Sequence, residues 1–288
     1  MANSTTTTLN DLLPSIVAEA LFQAQEQSIM RNLVRNYALP AGSGKTVTVP
    51  TYAPVTAISV AEGTDLAGGS GDVPVSTGGA LLTVSEVGIM TNVTDLAMKS
   101  SASNVIADVG KLFGAAIAAK MDKDLIANFA NFTGGVGSVA DGGTGTLTAA
   151  TIFKGIAQLR NAGVPTTGMS CVVNPMVAYD LKSSMTSTFA GHAGDLSNEA
   201  LKTGYVGTIG GVAIYESSHV ENNGTAGDFV GGMFHRDALG LALMSDISIE
   251  IQRNASMRSD ELVATAVYGS GELFDTYGIR VSADSTIL

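Results

Sequence analysis

GKTVTVPTYAPVTAISVAEG at residues 44–63 and STGGALLTVSEVGIMTNVT at residues 76–94 carry the pattern that decides the fold. In Thr46-Val47-Thr48-Val49 and in Ala80-Leu81-Leu82-Thr83-Val84 β-branched and apolar residues alternate with no helical period, as strands require. Between them Leu66-Ala67-Gly68-Gly69-Ser70-Gly71-Asp72-Val73-Pro74 is too small and polar to be buried. The stretch therefore reads as a hairpin with a soft tip. Arms of roughly 20 residues would reach ~60 Å at ~3.3 Å per residue, well beyond a compact domain. A lone two-stranded ribbon is marginally stable in water, so such an arm needs a surface to rest on. It is read as an arm between subunits.

Outward from this hairpin, residues 9–37 read as helical, with Pro14 in a first turn and Leu13, Ile16, Val17, Ala20, Leu21 and Ala24 at helical spacing. Arg31 and Arg35, four apart, are expected on one helical face, either solvated or against an acidic neighbouring subunit. Downstream, Ser103 can cap a helix whose ridge Val109, Phe113, Ile117, Met121, Leu125 and Phe129 repeats every fourth residue, supported by Leu112 and Ala116. About 27 residues would make a rod of ~40 Å. Residues 133–145 read as a glycine-rich linker. Thr148 starts a helix through Ile152, Ile156 and Leu159 that Gly163 and Pro165 stop. Residues 169–173 read as a strand, Asn174-Pro175 opens a helix through Leu181, and 183–196 reads as a polar loop. Residues 207–215 form a turn entering a strand, and strands follow at 247–251, 262–268 and 277–281. Helices and strands interleave without a βαβ repeat, which indicates an α+β fold.

Composition excludes several classes. With 45% apolar and 14% charged residues the chain has a sizeable core. Glycine is frequent, 34 of 288 residues against the usual ~7%, which predicts many turns and long loops. The net charge of −11 is spread without any Lys/Arg run, which argues against direct nucleic-acid binding. Charges interrupt the most apolar stretch, 105–132, too often for a bilayer span, so no membrane is expected. The start MANSTTTTLN lacks a secretory pattern and the single Cys171 cannot form an internal disulfide, which predicts synthesis in a reducing cytoplasm.

Catalytic constellations fail on context. Gly42-Ser43-Gly44-Lys45-Thr46 matches the end of a phosphate-binding loop, yet Leu39 stands where the first glycine belongs, and a helix precedes where a strand should. No nucleophile elbow occurs. His192, His219 and His235 are far apart and read as loop or surface residues, and Cys171 reads as a buried, inert thiol. The pairs Asp122/Asp124 and Asp260/Glu261 read as solvated faces, and the single Gly-Gly-Ser-Gly-Asp turn at 68–72 lacks the stacked repeats of a calcium site. No catalytic residue, metal or cofactor is assigned.

The order of helical arm, glycine-tipped hairpin, long helix, mixed middle and strand-rich end resembles the tailed-phage major capsid protein family, the Hong Kong ninety-seven type fold. The phrases carrying the resemblance are Thr46-Val-Thr-Val-Pro50 leading to Val60-Ala-Glu-Gly63, Cys171-Val-Val-Asn-Pro175, Gly207-Thr-Ile-Gly-Gly-Val-Ala-Ile-Tyr215, and Phe234 to Leu243 before Ile247 to Ile251. The resemblance implies an N-terminal arm at 1–40, an extended hairpin loop at 41–95, a peripheral domain with a spine helix at 96–140 and 225–288, and an axial domain at 141–224. It also implies pentamers and hexamers, a separate scaffolding protein, a portal, decoration proteins in some members, and enclosed DNA that is not bound specifically. The protein would be a virion component assembled in the host bacterial cytoplasm. The contact candidates are Arg31, Arg35, Glu62, Asp65, Gly68, Gly69, Gly71 and Asp72. The alternatives are an encapsulin-like compartment shell, a nucleotide-dependent enzyme using Lys45, and a secreted adhesin or surface-layer protein.

Overall fold

The computed structural model describes residues 3–4, 28–40, 42, 44–52, 55–63, 77–100, 105–137, 145–188, 205–222 and 228–287. The strands are β1 (Asn3–Ser4), β2 (Arg35–Ala38), β3 (Thr46–Tyr52), β4 (Thr77–Thr83), β5 (Ser85–Thr94), β6 (Gly135–Gly137), β7 (Met169–Val173), β8 (Tyr205–Ile209), β9 (Val212–Glu216), β10 (Asp228–His235), β11 (Leu239–Asn254), β12 (Ser259–Glu272) and β13 (Gly278–Asp284). The helices are α1 (Met30–Leu33), α2 (Asp95–Ser100), α3 (Val105–Ala127), α4 (Ala149–Asn161) and α5 (Pro175–Thr188).

The ridge read from the sequence is the keel of the molecule. Phe113, Ile117, Met121 and Leu125 are buried along α3, and Phe129 continues the row in the 3-10 turn that follows. At 23 residues the helix is about 35 Å long. Leu112 points away from this row and is exposed. The helix packs against a five-stranded sheet of order β1-β5-β12-β11-β2. Leu262, Ala264 and Ala266 of β12 are all buried on that side, small enough at two positions for the helix to sit close. At its far end Phe129 stacks near Phe132 and Phe234, with ring centroids 6.3 and 5.3 Å away. Phe234 lies on β10, so α3 also reaches the second sheet, β6-β13-β10-β7-β9-β8.

Local signals build this second sheet as expected. The Thr148 hydroxyl accepts a hydrogen bond from the Thr151 amide and caps α4, which buries Ile152, Ile156 and Leu159. Asn174 caps α5 through its Oδ1, which accepts from the Met176 amide at 2.9 Å, and its Nδ2 donates to the Val220 carbonyl at 2.8 Å. Gly210 and Gly211, at φ of 59° and 88°, form the two-residue turn between β8 and β9, which needs a positive φ at both positions. Among the described residues no helix is long and apolar enough to cross a membrane.

Several expectations change. The first helix is short: Val34 is already extended and Arg35 begins β2, paired in parallel with Gly240–Leu243 of β11, so Arg31 and Arg35 share no helical face. Most of the expected helix at 9–37, together with Ser103, lies outside the described residues. Within the expected linker, Gly135–Gly137 is a strand paired with β13. α5 runs on to Thr188 through the start of the expected loop. His235 stands on β10 rather than in a loop, its Nδ1 accepting from the Asp237 amide. β10 and β13 are hydrogen-bonded into one sheet with β7, so the boundary expected at residue 224 runs through a sheet. Near the end of the 41–95 stretch, Ser85–Thr94 form β5 of the first sheet, and Asp95 begins α2.

Asp122, expected on a solvated face, is 0% exposed. Its carboxylate accepts hydrogen bonds from the Ser28 hydroxyl at 2.6 Å and the Ile29 amide at 2.8 Å, with the Met30 amide at 3.5 Å, and so pins the start of α1 to α3. Burial pushes this carboxyl above its ordinary range, against the opposing pull of those donors and of His219. With a folded pKa above the unfolded one, its stabilising contribution is present below the unfolded carboxylate range near ~4 and is lost as pH rises through the folded value. Asp122→Asn, which keeps an oxygen for the amides without the charge, is expected to be at least as stable as wild type at pH 7, an advantage that disappears below about pH 4. Asp122→Ala leaves the donors unpaired and is expected to cost about 1–3 kcal/mol. Urea unfolding of the unassembled chain at both pH values measures the two effects.

Candidate assembly surfaces

β3 and β4 form a separate two-stranded ribbon in register from Thr46↔Thr83 to Tyr52↔Thr77, with paired strands of 7 residues each where arms of roughly 20 were expected. Its tip, residues 64–76, which includes the expected contacts Asp65, Gly68, Gly69, Gly71 and Asp72, lies outside the described residues. The two faces of the ribbon differ. Val47, Val49, Ala80 and Leu82 turn inward onto Leu39, Val84, Ala242 and Leu273, a small core separate from the main one. The base of the ribbon is thus seated on its own body, where the sequence reading placed its support on another subunit. Thr46, Thr48, Pro50 and Tyr52 of β3 turn outward, with Leu81 beside Thr48. On this outer face Tyr52 is 64% and Leu81 61% exposed. Beyond Tyr52, residues 55–63 are exposed at every position, Val55, Ile58, Val60 and the expected contact Glu62 among them.

The seat depends on a missing side chain. A Cβ at Gly269 of β12 would lie 2.1 Å from the Thr83 carbonyl oxygen and 2.7 Å from its carbon, where backbone has no room to yield.

The two arginines are bound within their own chain. Arg31 reaches Asp246 at 3.0 Å and Arg35 reaches Asp237 at 2.7 Å, with both guanidiniums still partly open to solvent. These pairs hold Asp246 below its ordinary range and Arg35 above its own. Exposed pairs of this kind contribute little to stability, and here they orient β2 and the start of the arm. Near the β11–β12 turn, Arg253 bridges Asp95 and Asp260, tying α2 to the sheet.

The features examined for chemistry lack its geometry. Gly42 and Gly44 take positive φ and Lys45 leads directly into strand β3, so no helix N-terminus faces the lysine. Cys171 is fully buried in β7, which pushes its thiol up to about 12. A cleft of about 380 Å³ lies between α3 and the β9–β10 connection, lined by Lys120, Lys123, Asp124, His219 and Glu221. Its lysines are paired, Lys120 with Asp124 and Lys123 with Glu221. Among the described residues no three His, Cys, Asp or Glu side chains cluster as metal ligands do.

Sequence reasoning missed the outward Tyr52 and Leu81, whose signal was the alternation itself, and Asp122. The signal for Asp122 was its spacing, three residues before Leu125 and four before Ile126, both buried.

Comparison with known proteins agrees with this architecture. The family described as phage capsid protein matches residues 79–282. The capsid asymmetric unit of cyanophage Pam1 is similar over 100% of both chains, with a TM-score of 0.74 at 12% identity. The capsid structure of cyanophage P-SCSP1u gives 0.72 at 18% identity, covering 99% of this chain and 97% of that one. A chain from Mycobacterium phage Che8 gives 0.69 at 21% identity, covering 94% and 97%. No curated protein sequence matches the chain. The α+β protomer, with its long helix, two sheets and ribbon, is of the class that builds phage shells. The chain belongs to the phage capsid protein family: it is a structural major capsid protein with the Hong Kong ninety-seven type fold, a component of the virion that associates with copies of itself.

Gly269→Ala is expected to destabilise the protomer by about 1–3 kcal/mol, because the added methyl must displace the Thr83 backbone at the ribbon seat. Denaturant unfolding tests this, and a variant as stable as wild type would show that the ribbon does not rest on β12 at that point.

Proposed function

We propose that the chain forms the icosahedral head shell of a tailed phage, as pentamers and hexamers around packaged double-stranded DNA, and turns over no substrate. The observation that carries the reading is the outer face of the β3–β4 ribbon. Large apolar side chains there, Tyr52 and Leu81, are more than half exposed although the inner face of the same ribbon is packed. Such a face gains by being covered, and in a protein that associates with itself the cover is a neighbouring subunit. The ribbon then lies over the next protomer, with Glu62, Asp65, Gly68, Gly69, Gly71 and Asp72 at or near its tip as contacts. Arg31 and Arg35 keep enough exposure to add a second contact from the arm.

In this reading the spine helix and the five-stranded sheet make up the peripheral part, and the six-stranded sheet with α4 and α5 the axial part. Assembly takes place in the host bacterial cytoplasm on a separate scaffolding protein, with a portal at one vertex and decoration proteins as a further layer. The net charge of −11, without a basic cluster, suits a wall that repels its DNA cargo weakly and does not trap it.

The test is a Tyr52→Ser/Leu81→Ser chain. Neither side chain is buried in the protomer, so unfolding should shift by less than about 1 kcal/mol. Closed particles on negative-stain microscopy should fall by about tenfold or more, since loss of apolar contact is repeated at every interface. Normal particle numbers from this variant would remove the ribbon from the assembly mechanism.

A further inference from the structure

The two sheets are joined where the chain passes from one to the other, and these passages meet at one place. β10 of the six-stranded sheet runs into β11 of the five-stranded one through residues 236–238, and β12 returns to β13 through residues 273–277. The passages are bonded to each other: the amides of Leu273 and Phe274 both donate to the Ala238 carbonyl, at 2.8 and 3.3 Å. Rings pack across them, Phe274 on Tyr277 at 5.2 Å and Tyr277 against His235 at 5.8 Å. The end of the long helix is tied in as well, because the Thr133 amide donates to Asp275 Oδ1 at 2.8 Å. A turn of one sheet against the other is taken up at this joint.

Two carboxyl pairs bracket β13, the strand that leaves the joint. Before its start Glu272, the last residue of β12, is hydrogen-bonded to Asp275. At its end Asp284 and Asp228 are cross-strand partners of β13 and β10 and bond to each other. All four side chains are only partly exposed. Two carboxylates have no proton to share, so each bond forms only while one member stays protonated, and once both ionise the pair becomes a like-charge contact. Burial and Asp275 hold the Glu272 carboxyl above its ordinary range, and the bond with Asp228 does the same for Asp284. The other charged groups around them are engaged or distant. His235 stands 3.6 Å from Asp237, which Arg35 holds, and Asp180 of α5 accepts from the Thr286 amide and hydroxyl. Arg280 is four residues before Asp284 on β13, about 13 Å away.

We propose that the two carboxyl pairs are proton-operated clamps: with a proton shared in each, β13 and the passage into it are fixed, and when the protons leave, the joint between the sheets loosens. The direction follows from linkage. Folded values above the unfolded ones near ~4 mean that the clamping contribution is complete below ~4 and is lost as pH rises through the folded values. The inference goes beyond the shell reading, since it concerns the single protomer.

Hydrogen exchange of the full-length protomer tests it, in EDTA so that no divalent cation stands in for the proton. From pH 5 to pH 8, after correction for the intrinsic rate, residues 273–284 should lose about fivefold in protection relative to β7, whose five residues carry no charge. Glu272→Gln and Asp284→Asn each supply an N–H where the acid's proton would be, at every pH. Glu272→Gln should keep residues 273–278 at their pH 5 protection up to pH 8 while the far end of β13 still loosens, and Asp284→Asn should do the reverse. Equal protection of the wild type at the two pH values would overturn the proposal. So would a dependence on pH that survives in Glu272→Gln/Asp284→Asn, which would assign it to His235 and Asp237 instead. Either result leaves the shell reading standing, just as normal particles from Tyr52→Ser/Leu81→Ser would leave the clamps standing.

Discussion

One row of side chains holds this molecule together. Phe113, Ile117, Met121, Leu125 and Phe129 form a ridge along α3 and its terminal turn that packs against one sheet along its length and against a second at its end. Each sheet buries a face against helix: the five-stranded sheet packs on α3, and the six-stranded sheet on α4 and on the 3-10 turn that ends α3. Interiors packed at crystal density transmit small displacements, so any tilt of the helix moves both sheets and whatever is mounted on them. The start of the arm is mounted there too, through the Asp122 carboxylate and the amides of Ile29 and Met30.

The ribbon is attached by a different logic. Its base sits in a separate small core around Leu39, Leu82 and Leu273, where Gly269 lets backbone meet backbone. Among the described residues, the stretch beyond it at 55–63 is exposed throughout. A projection of this kind has a defined direction at the root and is left to be completed at the far end by what it meets. That division suits a subunit that must fold before it assembles, because the seat forms within one chain.

Elements with local signals were legible in the sequence. The α3 ridge, the Thr148 and Asn174 caps and the strand at 169–173 each announce themselves within a few residues, and each forms where its spacing puts it. What was not legible depends on partners far along the chain. α1 ends at Leu33 because the next residues pair with β11, about two hundred positions away, as the Arg35–Asp237 separation of 202 records. Gly135–Gly137 has the composition of a linker and becomes a strand because β13 offers it an edge. Asp122 was hidden by its neighbour: nearness to Asp124 suggests a shared wet face, whereas helical residues two positions apart lie about 200° apart, one buried under the arm and the other bonded to the Tyr268 hydroxyl. Of the expected contact residues, the arginines are tied to carboxylates of their own chain, a pairing that spacing along the sequence cannot reveal.

An open sheet edge is ordinarily a hazard, and soluble proteins blunt theirs with charge, proline or a covering loop. The outer half of β11 carries only partial protection. Arg31 and Asp246 pair at its start, and Arg253 is drawn aside to Asp95 and Asp260 at its end, which leaves Glu250 as the charge between the exposed Ile249 and Ile251. A net charge of −11 opposes the contact of free subunits only at close approach, because beyond roughly 8 Å it is screened at physiological salt. Indiscriminate edge pairing therefore meets its resistance at the moment of contact.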